Sequence, residues 1–174
     1  DGSTSYTAGF VEMMNEKVQD LGCVNTNFVN PHGLYNDNHY TTAYDMALIT
    51  RYALTTPNFL QYFGQTEYSM DPTKQSLPRN WRRSSDESMM LTSSDNYYSG
   101  ILGMETGMTT QGNYTGVAVA ERDGIRLICV ALNCTGSSAY SLQTDMTNLF
   151  DYCFNNFTAV TYTAEELAPT GFQT

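Results

Sequence analysis

The sequence predicts an α+β fold in which an antiparallel sheet of three core strands is flanked by helices. Apolar residues recur at helical spacing in two long segments, one near the start of the chain and one near its end. Between them, two apolar segments flank the pair Asp123–Gly124, which is typical of a hairpin turn. A third apolar segment at residues 101–108 precedes this hairpin, so three consecutive strands are expected.

The first helix is expected to begin near Ala8 with Thr7 as its cap. Gly22 should end it, since glycine readily adopts the left-handed conformation found after helices. Residues 24–40 are rich in turn-forming residues and predict a structured loop.

A second helix is expected to open at residue 41 or 42 and to run to Leu54. Thr42 and Asp45 have the spacing of a capping box, with aspartate in place of the usual glutamate. Pro57 predicts the start of a short further helix that reaches Phe63.

Residues 65–87 are polar and predict a long excursion that contains one short strand at 67–70, and a further strand is considered for 88–92. The excursion also contains the chain's one basic cluster, interpreted as a solvated loop: Arg79, Arg82 and Arg83 around Trp81.

After the strand at 101–108, the hairpin arms are expected at 113–121 and 125–133. Both arms are rich in Val, Ala, Ile and Leu, which indicates central strands. Ser137 or Ser138 should cap the last helix.

The chain has 174 residues and a formal net charge of −10, which argues against nucleic-acid binding. It contains no apolar run of about 18 residues, so no membrane span is expected, and no secretory signal is recognised.

The cysteines lack metal-binding spacing, which favours buried free thiols over disulfides: Cys23, Cys129, Cys134 and Cys153.

A serine nucleophile needs a neighbouring base, and the sequence does not supply one. His32 and His39 lie in one loop and are interpreted as polar turn residues. A Ser-x-x-Lys arrangement would put a lysine one helical turn from a serine, but it is absent, and the only lysines are Lys17 and Lys74. No catalytic residue is therefore assigned.

Other polar patterns do not add a reactive site. Residues 94–96, Ser-Asp-Asn, are interpreted as a turn. The acidic residues Asp37, Asp45, Glu105 and Asp123 cannot be shown to converge from their positions in the sequence. No spacing indicates a metal site, and no cofactor is predicted.

Three segments carry a family resemblance: residues 10–22 with 26–34, residues 39–49 with 51–54, and the strand Gly103–Thr109 with 112–114 and 120–128 after it. The most specific parts of the first two are Asn30–Leu34 and Tyr44–Ala47. Together the three segments resemble the serine-type D-alanyl-D-alanine carboxypeptidases, the low-molecular-mass penicillin-binding proteins. Their order and spacing fit over roughly residues 8–157. The resemblance implies a penicillin-binding, β-lactamase-like fold and a substrate that ends in D-Ala-D-Ala and acylates a serine.

The resemblance also implies a substrate-binding strand. Thr106 and Gly107 match its positions beside the substrate, Met108 follows them, and Glu105 stands where the family has a lysine. A lysine there attracts a carboxylate-terminated peptide, so Glu105 reverses the sign of the charge.

The family's Ser-x-x-Lys helix and Ser-x-Asn loop fall upstream of Asp1, and an arginine expected near Leu142 is absent. Residues 1–157 are therefore predicted to form a partial transpeptidase-like domain that lacks the N-terminal strands and the nucleophile helix. Residues 158–174 are predicted to form a strand-like tail or linker. A missing N-terminal fragment, a second copy or another chain is expected to cover the exposed sheet edge.

The first functional hypothesis is that the chain is part of a carboxypeptidase that trims peptidoglycan stem peptides. The chain alone is not expected to be catalytically competent. The alternative, favoured by Glu105 and Leu142, is a non-catalytic pseudoenzyme that binds cell-wall peptide or a protein partner. An unrelated α+β interaction domain is a third hypothesis. By the resemblance, the protein is expected outside the cytoplasm, in the bacterial cell envelope or secreted.

Overall fold

The computed structural model describes residues 6–160. Its helices are α1 Tyr6–Asp20, α2 Ala43–Ala53, α3 Phe59–Phe63, a 3₁₀ helix Ser85–Met90, and α4 Ala139–Asn156. Its strands are β1 Glu67–Met70, β2 Arg79–Arg82, β3 Ile101–Thr109, β4 Asn113–Arg122 and β5 Ile125–Cys134. None of the helices in this part of the chain has the length and apolar character that a membrane crossing requires.

The three long strands form one antiparallel sheet in the order β3-β4-β5. The turn between β4 and β5 is made by Asp123 and Gly124, whose φ angles of 50° and 78° are the left-handed values of a type I′ turn. The predicted hairpin and three-stranded sheet are confirmed. Within residues 6–160, β5 pairs with β4 on one side and with no strand on the other.

The face of the sheet toward α4 carries the main core. Met104 of β3 lies opposite Ala118 of β4, and both are fully buried. The helical spacing predicted for the last segment brings three fully or almost fully buried side chains of α4 into the same core: Leu142, Met146 and Phe150. Leu142, where the resemblance led us to expect an arginine, is therefore a core residue.

The opposite face is covered by α2, against β4 and β5, and by α3, against β3. The approach of α3 depends on a glycine, because a Cβ added at Gly103 would lie 2.2 Å from Cδ1 of Phe63. The molecule therefore has three layers, with β3 at one edge of the sheet.

Helix starts were predicted with mixed success. The Thr42 cap is confirmed, since its Oγ1 accepts a hydrogen bond from the Asp45 N–H at 3.1 Å. The Thr7 cap is wrong, because α1 begins at Tyr6. The short helix begins at Phe59 rather than at the proline, after a left-handed residue at position 58. Ser138 is the N-cap of α4, but its side chain makes no cap hydrogen bond.

The region between α3 and β3 departs most from prediction. β1 is confirmed, but its partner β2 was missed. The strand considered for residues 88–92 is wrong, because a 3₁₀ helix covers most of the segment and begins where Ser84 Oγ accepts from the Asp86 N–H. The basic cluster is not a solvated loop: Arg79 and Arg82 lie on a strand, and Arg83 is buried.

The four cysteines are free thiols. Cys23 and Cys129 are buried, as predicted, whereas Cys134 and Cys153 are half-buried. Burial, with smaller contributions from the two neighbouring thiols, raises the pKa of Cys129 to about 12. Most of the predicted tail, residues 158–174, lies outside the described residues.

Candidate functional site

A cavity of about 360 Å³ lies where β3 meets the end of β2 and the 3₁₀ helix. β3 contributes four consecutive residues to its wall: Glu105, Thr106, Gly107 and Met108. These are the four positions to which the sequence assigned substrate binding. The structure brings them to one cavity, and their role in binding stays a prediction.

The backbone N–H and C=O groups of successive β3 residues point alternately toward the neighbouring strand β4 and toward the open edge. The Gly107 carbonyl accepts a hydrogen bond from Thr115 Oγ1 of β4 at 3.2 Å, so Gly107 faces inward. The Thr106 N–H points instead beyond the edge of the sheet, toward the Glu87 carboxylate. Because strand amides alternate in direction, the Met108 N–H and C=O also point to that edge.

Gly107 leaves open space beside the strand. A Cβ added there would have Thr115 Oγ1 as its nearest contact, at 3.4 Å, which is ordinary van der Waals distance. Packing therefore does not demand a glycine at this position. A glycine there does let a ligand approach the backbone closely.

Arg83 anchors the rear of the cavity, and its side chain is only 4% exposed. Its Nε donates to the Gln65 carbonyl at 2.9 Å and its Nη2 to the Phe63 carbonyl at 2.8 Å. Its Nη1 donates to Glu87 at 2.6 Å and to Glu105 at 3.1 Å. This one side chain therefore connects the segments that follow α3 and β2 to β3.

The two carboxylates on Arg83 differ in exposure: the Glu87 side chain is 8% exposed and that of Glu105 is 67% exposed. Burial raises the pKa of Glu87, and the charge of Glu105 adds to this, while Arg83 and the Thr106 N–H oppose it. Two carboxylates share one guanidinium, so the ionised cluster has one negative charge in excess.

Two aromatic side chains give the cavity an apolar part. Trp81 is 42% exposed, and its ring centroid lies 5.6 Å from the Arg83 guanidinium carbon. Tyr114 pairs with Met108 across the β3–β4 ladder and lines the same cavity. The site thus combines a strand edge, a net negative cluster and apolar rings.

The histidines lie elsewhere and hold the loop that follows α1. His39 Nδ1 accepts from the Val29 N–H at 3.3 Å, and His32 Nδ1 accepts from the Leu34 N–H at 3.2 Å. The His32 contact is local, as expected for a polar turn residue, whereas His39 joins two parts of the loop ten residues apart and packs edge-on against the Phe28 ring. Ser94 forms a turn as well, since its Oγ accepts from the N–H two residues on at 3.1 Å.

Of the four acidic residues considered from the sequence, Glu105 alone lines the cavity. Asp45 is buried and accepts from the Asn25 N–H and the Thr26 hydroxyl, which fixes the loop to α2. Asp37 accepts from a neighbouring tyrosine hydroxyl. Between residues 6 and 160, no group of His, Cys, Asp and Glu side chains is arranged to hold a metal ion.

Sequence reasoning missed seven residues that line the cavity: Trp81, Arg82, Arg83, Ser84, Asp86, Glu87 and Tyr114. The four-residue spacing of Arg83 and Glu87 is a signal for an ion pair. Their burial has no sequence signal, because it results from the carbonyl groups of Phe63 and Gln65 meeting the guanidinium in space.

A family model described as D-alanyl-D-alanine carboxypeptidase matches residues 2–136. The chain is 28% identical over 151 residues to D-alanyl-D-alanine carboxypeptidase DacF of Bacillus subtilis, which covers 85% of this chain and 36% of the relative. It is 31% identical over 153 residues to DacA of Haemophilus influenzae, covering 85% and 35%. The chain therefore spans about a third of the length of these relatives.

Solved structures agree with these sequence matches. A mutant of the Streptomyces K15 DD-transpeptidase has a TM-score of 0.77 and 26% identity, over 89% of this chain and 58% of that one. A D-alanyl-D-alanine carboxypeptidase from Mycobacterium tuberculosis has a TM-score of 0.68 and 26% identity, over 83% and 53%. The predicted penicillin-binding fold is confirmed by these similarities.

Proposed function

The chain belongs to the D-alanyl-D-alanine carboxypeptidase family, and from this membership we propose that it forms the strand side of a site for D-alanyl-D-alanine peptides. The observation that carries the proposal is the cavity beside β3, with Thr106, Gly107 and Met108 on its wall. In the whole protein, this site would bind peptidoglycan stem peptides for trimming.

An extended peptide would bind by adding to the open edge of β3. Main-chain hydrogen bonds give affinity in this mode, and the side-chain pockets give selectivity. The outward N–H and C=O groups of Met108 supply the main-chain bonds, and Gly107 permits close approach. Trp81 and Tyr114 offer apolar surface to the small methyl groups of such a peptide.

Acylation of a serine requires a base beside the nucleophile. The 174 residues contain no Ser-x-x-Lys, so the chain has no serine with a lysine base one turn away. We assign the nucleophile to a region that these residues do not include. The chain alone is expected to bind peptide without hydrolysing it.

The outer edge of β5 is where the rest of the fold would attach. A further strand from an N-terminal segment would satisfy its unpaired backbone groups, as would a second copy or another chain. The N-terminal segment is the occupant that the length of the relatives supports. By family, the whole protein would work outside the cytoplasm, in the cell envelope or secreted.

Incubation with a fluorescent penicillin tests the catalytic part of the proposal. The chain should form no covalent adduct, because it has no activated serine, and an active carboxypeptidase of the family serves as the positive control. The readout is in-gel fluorescence after denaturation. A covalent adduct with this chain would show that it contains a nucleophile and would overturn its predicted inactivity.

Peptide titration followed by NMR tests the binding part. Amide signals of residues 106–108 should shift, and Gly107→Ala should weaken binding because the methyl group projects toward the ligand's path. Gly9→Ala is the matched control, since a Cβ at Gly9 meets nothing within 4 Å and lies on α1, outside the cavity. Equal effects of the two substitutions would count against a site at β3.

A second candidate function is binding without catalysis in the whole protein. Glu105 on the strand and Leu142 in the core favour it, because the absence of an upstream segment would not change either residue. The upstream coding sequence distinguishes the two functions. An intact Ser-x-x-Lys there would favour an enzyme, and its absence a pseudoenzyme that binds cell-wall peptide or a protein partner.

A further inference from the structure

We infer that Glu105 makes the site prefer a peptide whose end donates N–H groups, such as a carboxamide or an ammonium, over one that ends in a free carboxylate. This inference rests on the proposed function. Such a preference deepens the proposal by naming the chemistry of the ligand's end. It depends on which groups of the cavity wall are already occupied and on the charge that remains.

The cavity wall carries two arginines, of which the exposed one, Arg82, pairs with Glu67 at 3.5 Å. The buried one, Arg83, is not available to a ligand. Arg83 has five N–H donors, and four of its hydrogen bonds go to groups of the protein itself, two of them to carbonyls and two to carboxylates. Its side chain is 4% exposed, so an incoming carboxylate has almost no access to the guanidinium.

The strand amide nearest to Glu105 also lies close to a carboxylate of the protein. The Thr106 N–H points out of the sheet toward Glu87 and acts to lower the pKa of that group. Glu87 is held in turn by the 2.6 Å bond to Arg83 and is buried. Arg83 therefore already holds two of the protein's own carboxylates, and one of these, Glu87, lies beside the strand amide.

Glu105 is the part of the cluster that a ligand meets. Its side chain is 67% exposed and its one ion pair, to Arg83, uses Oε2, so the carboxylate keeps further acceptor capacity. The excess negative charge of the cluster repels a second carboxylate and attracts a donor group. The Thr106 C=O, directed like its N–H, adds a second acceptor to the same edge.

Titration with three acetylated peptides of one sequence tests the inference. All end in D-Ala-D-Ala, one as the free acid, one as the carboxamide and one as an aminoethyl amide that carries an ammonium group. The carboxamide should bind about tenfold more tightly than the acid, the size of one charge repulsion at a partly solvated site. The third peptide distinguishes a preference for neutral donors from one for cations.

Two substitutions assign the preference to one side chain. Glu105→Gln should bring the acid and the carboxamide to similar affinity, and Glu105→Lys should favour the acid. Glu121→Gln is the matched control, because Glu121 is an ion-paired carboxylate, 36% exposed, and neither it nor its partner Arg126 lines the cavity. The wild-type preference should also shrink as salt is added.

The outcomes separate this inference from the proposal beneath it. Tighter binding of the acid by the wild-type protein, or a preference unchanged in Glu105→Gln, overturns the role of Glu105 and leaves peptide binding intact. If none of the three peptides binds, the proposed function itself fails and the inference fails with it. The isosteric Glu105→Gln variant keeps the test valid if Glu105→Lys does not fold.

Discussion

At the scale of single residues, two glycines of β3 have different physical roles. Gly103 is required by packing, because the ring of Phe63 occupies the space that a side chain would need. Gly107 has open space beside it, next to the cavity. The sequence contains both glycines in one apolar segment and does not distinguish these roles, since Phe63 lies 40 residues upstream.

Gly103→Ala should lower the free energy of unfolding by about 1–3 kcal/mol, because the added methyl group forces α3 away from the sheet. Gly107→Ala should change it by less than about 0.5 kcal/mol. Urea denaturation followed by circular dichroism measures both values. Comparable losses in the two variants would contradict the packing role assigned to Gly103.

The buried thiol of Cys129 should make stability depend on alkaline pH. Burial raises its pKa to about 12 in the folded protein, from an ordinary thiol value of 9.0, so the unfolded chain loses this proton first. The free energy of unfolding should therefore fall as the pH rises from 9 toward 12, by up to roughly 4 kcal/mol, and this contribution is fully present below pH 9. Urea titrations at several pH values measure the fall.

Cys129→Ala supplies the comparison for this pH dependence. The variant lacks the titrating thiol, so its free energy of unfolding should fall less steeply between pH 9 and the highest pH at which it stays folded. Parallel curves for wild type and variant would show that Cys129 does not contribute.

At the scale of elements, Arg83 joins parts of the chain that are not neighbours in the sheet. It follows β2 directly and bonds to the carbonyl at the end of α3, to the 3₁₀ helix and to β3. The β1–β2 hairpin is exposed along its whole length, so this residue is a main anchor for it.

Arg83→Met should lower the free energy of unfolding by about 3–5 kcal/mol, because it leaves the buried Glu87 without its cation. Arg82→Met is the matched control and should cost no more than about 1 kcal/mol, since Arg82 pairs with Glu67 in solvent. Thermal and urea unfolding measure both effects. An equal cost for the neighbouring arginines would refute the anchoring role.

Element prediction succeeded where the signal is local and failed where it is not. The Asp123–Gly124 turn and the Thr42 cap depend on residues a few positions apart, and both were predicted from the sequence. β2 has a polar, basic sequence with no alternation toward a core, because both faces of the hairpin are exposed. Its pairing with β1 is therefore visible only in three dimensions.

At the scale of the whole molecule, the sheet has two different open edges. The edge of β3 faces the cavity, and the edge of β5 is unpaired within residues 6–160. Tyr44, on α2, the helix that packs mainly against β5, is 72% exposed. Exposed aromatic surface beside an open edge supports the proposal that a further part of the protein covers this side.

Hydrogen exchange should show whether a further part of the protein covers the edge of β5. In the chain alone, backbone amides of residues 125–134 should exchange faster than those of β4, which is paired on both sides. Joining the chain to its upstream sequence should slow exchange in β5 and leave β4 nearly unchanged. Mass spectrometry of peptides from each strand measures this. Equal protection of β5 in the chain alone and in the extended protein would argue against a further strand at that edge.

The sequence by itself determined the long helices, the three-stranded sheet, the family, and the four residues on the β3 wall, because periodicity, turn chemistry and motifs are read along the chain. Only the tertiary structure decided what surrounds Glu105. Arg83 and Glu87 come from a segment whose sequence indicates a solvated loop, and carbonyls from beyond α3 bury them. The charge a ligand meets therefore depends on contacts between distant segments, which no local pattern encodes.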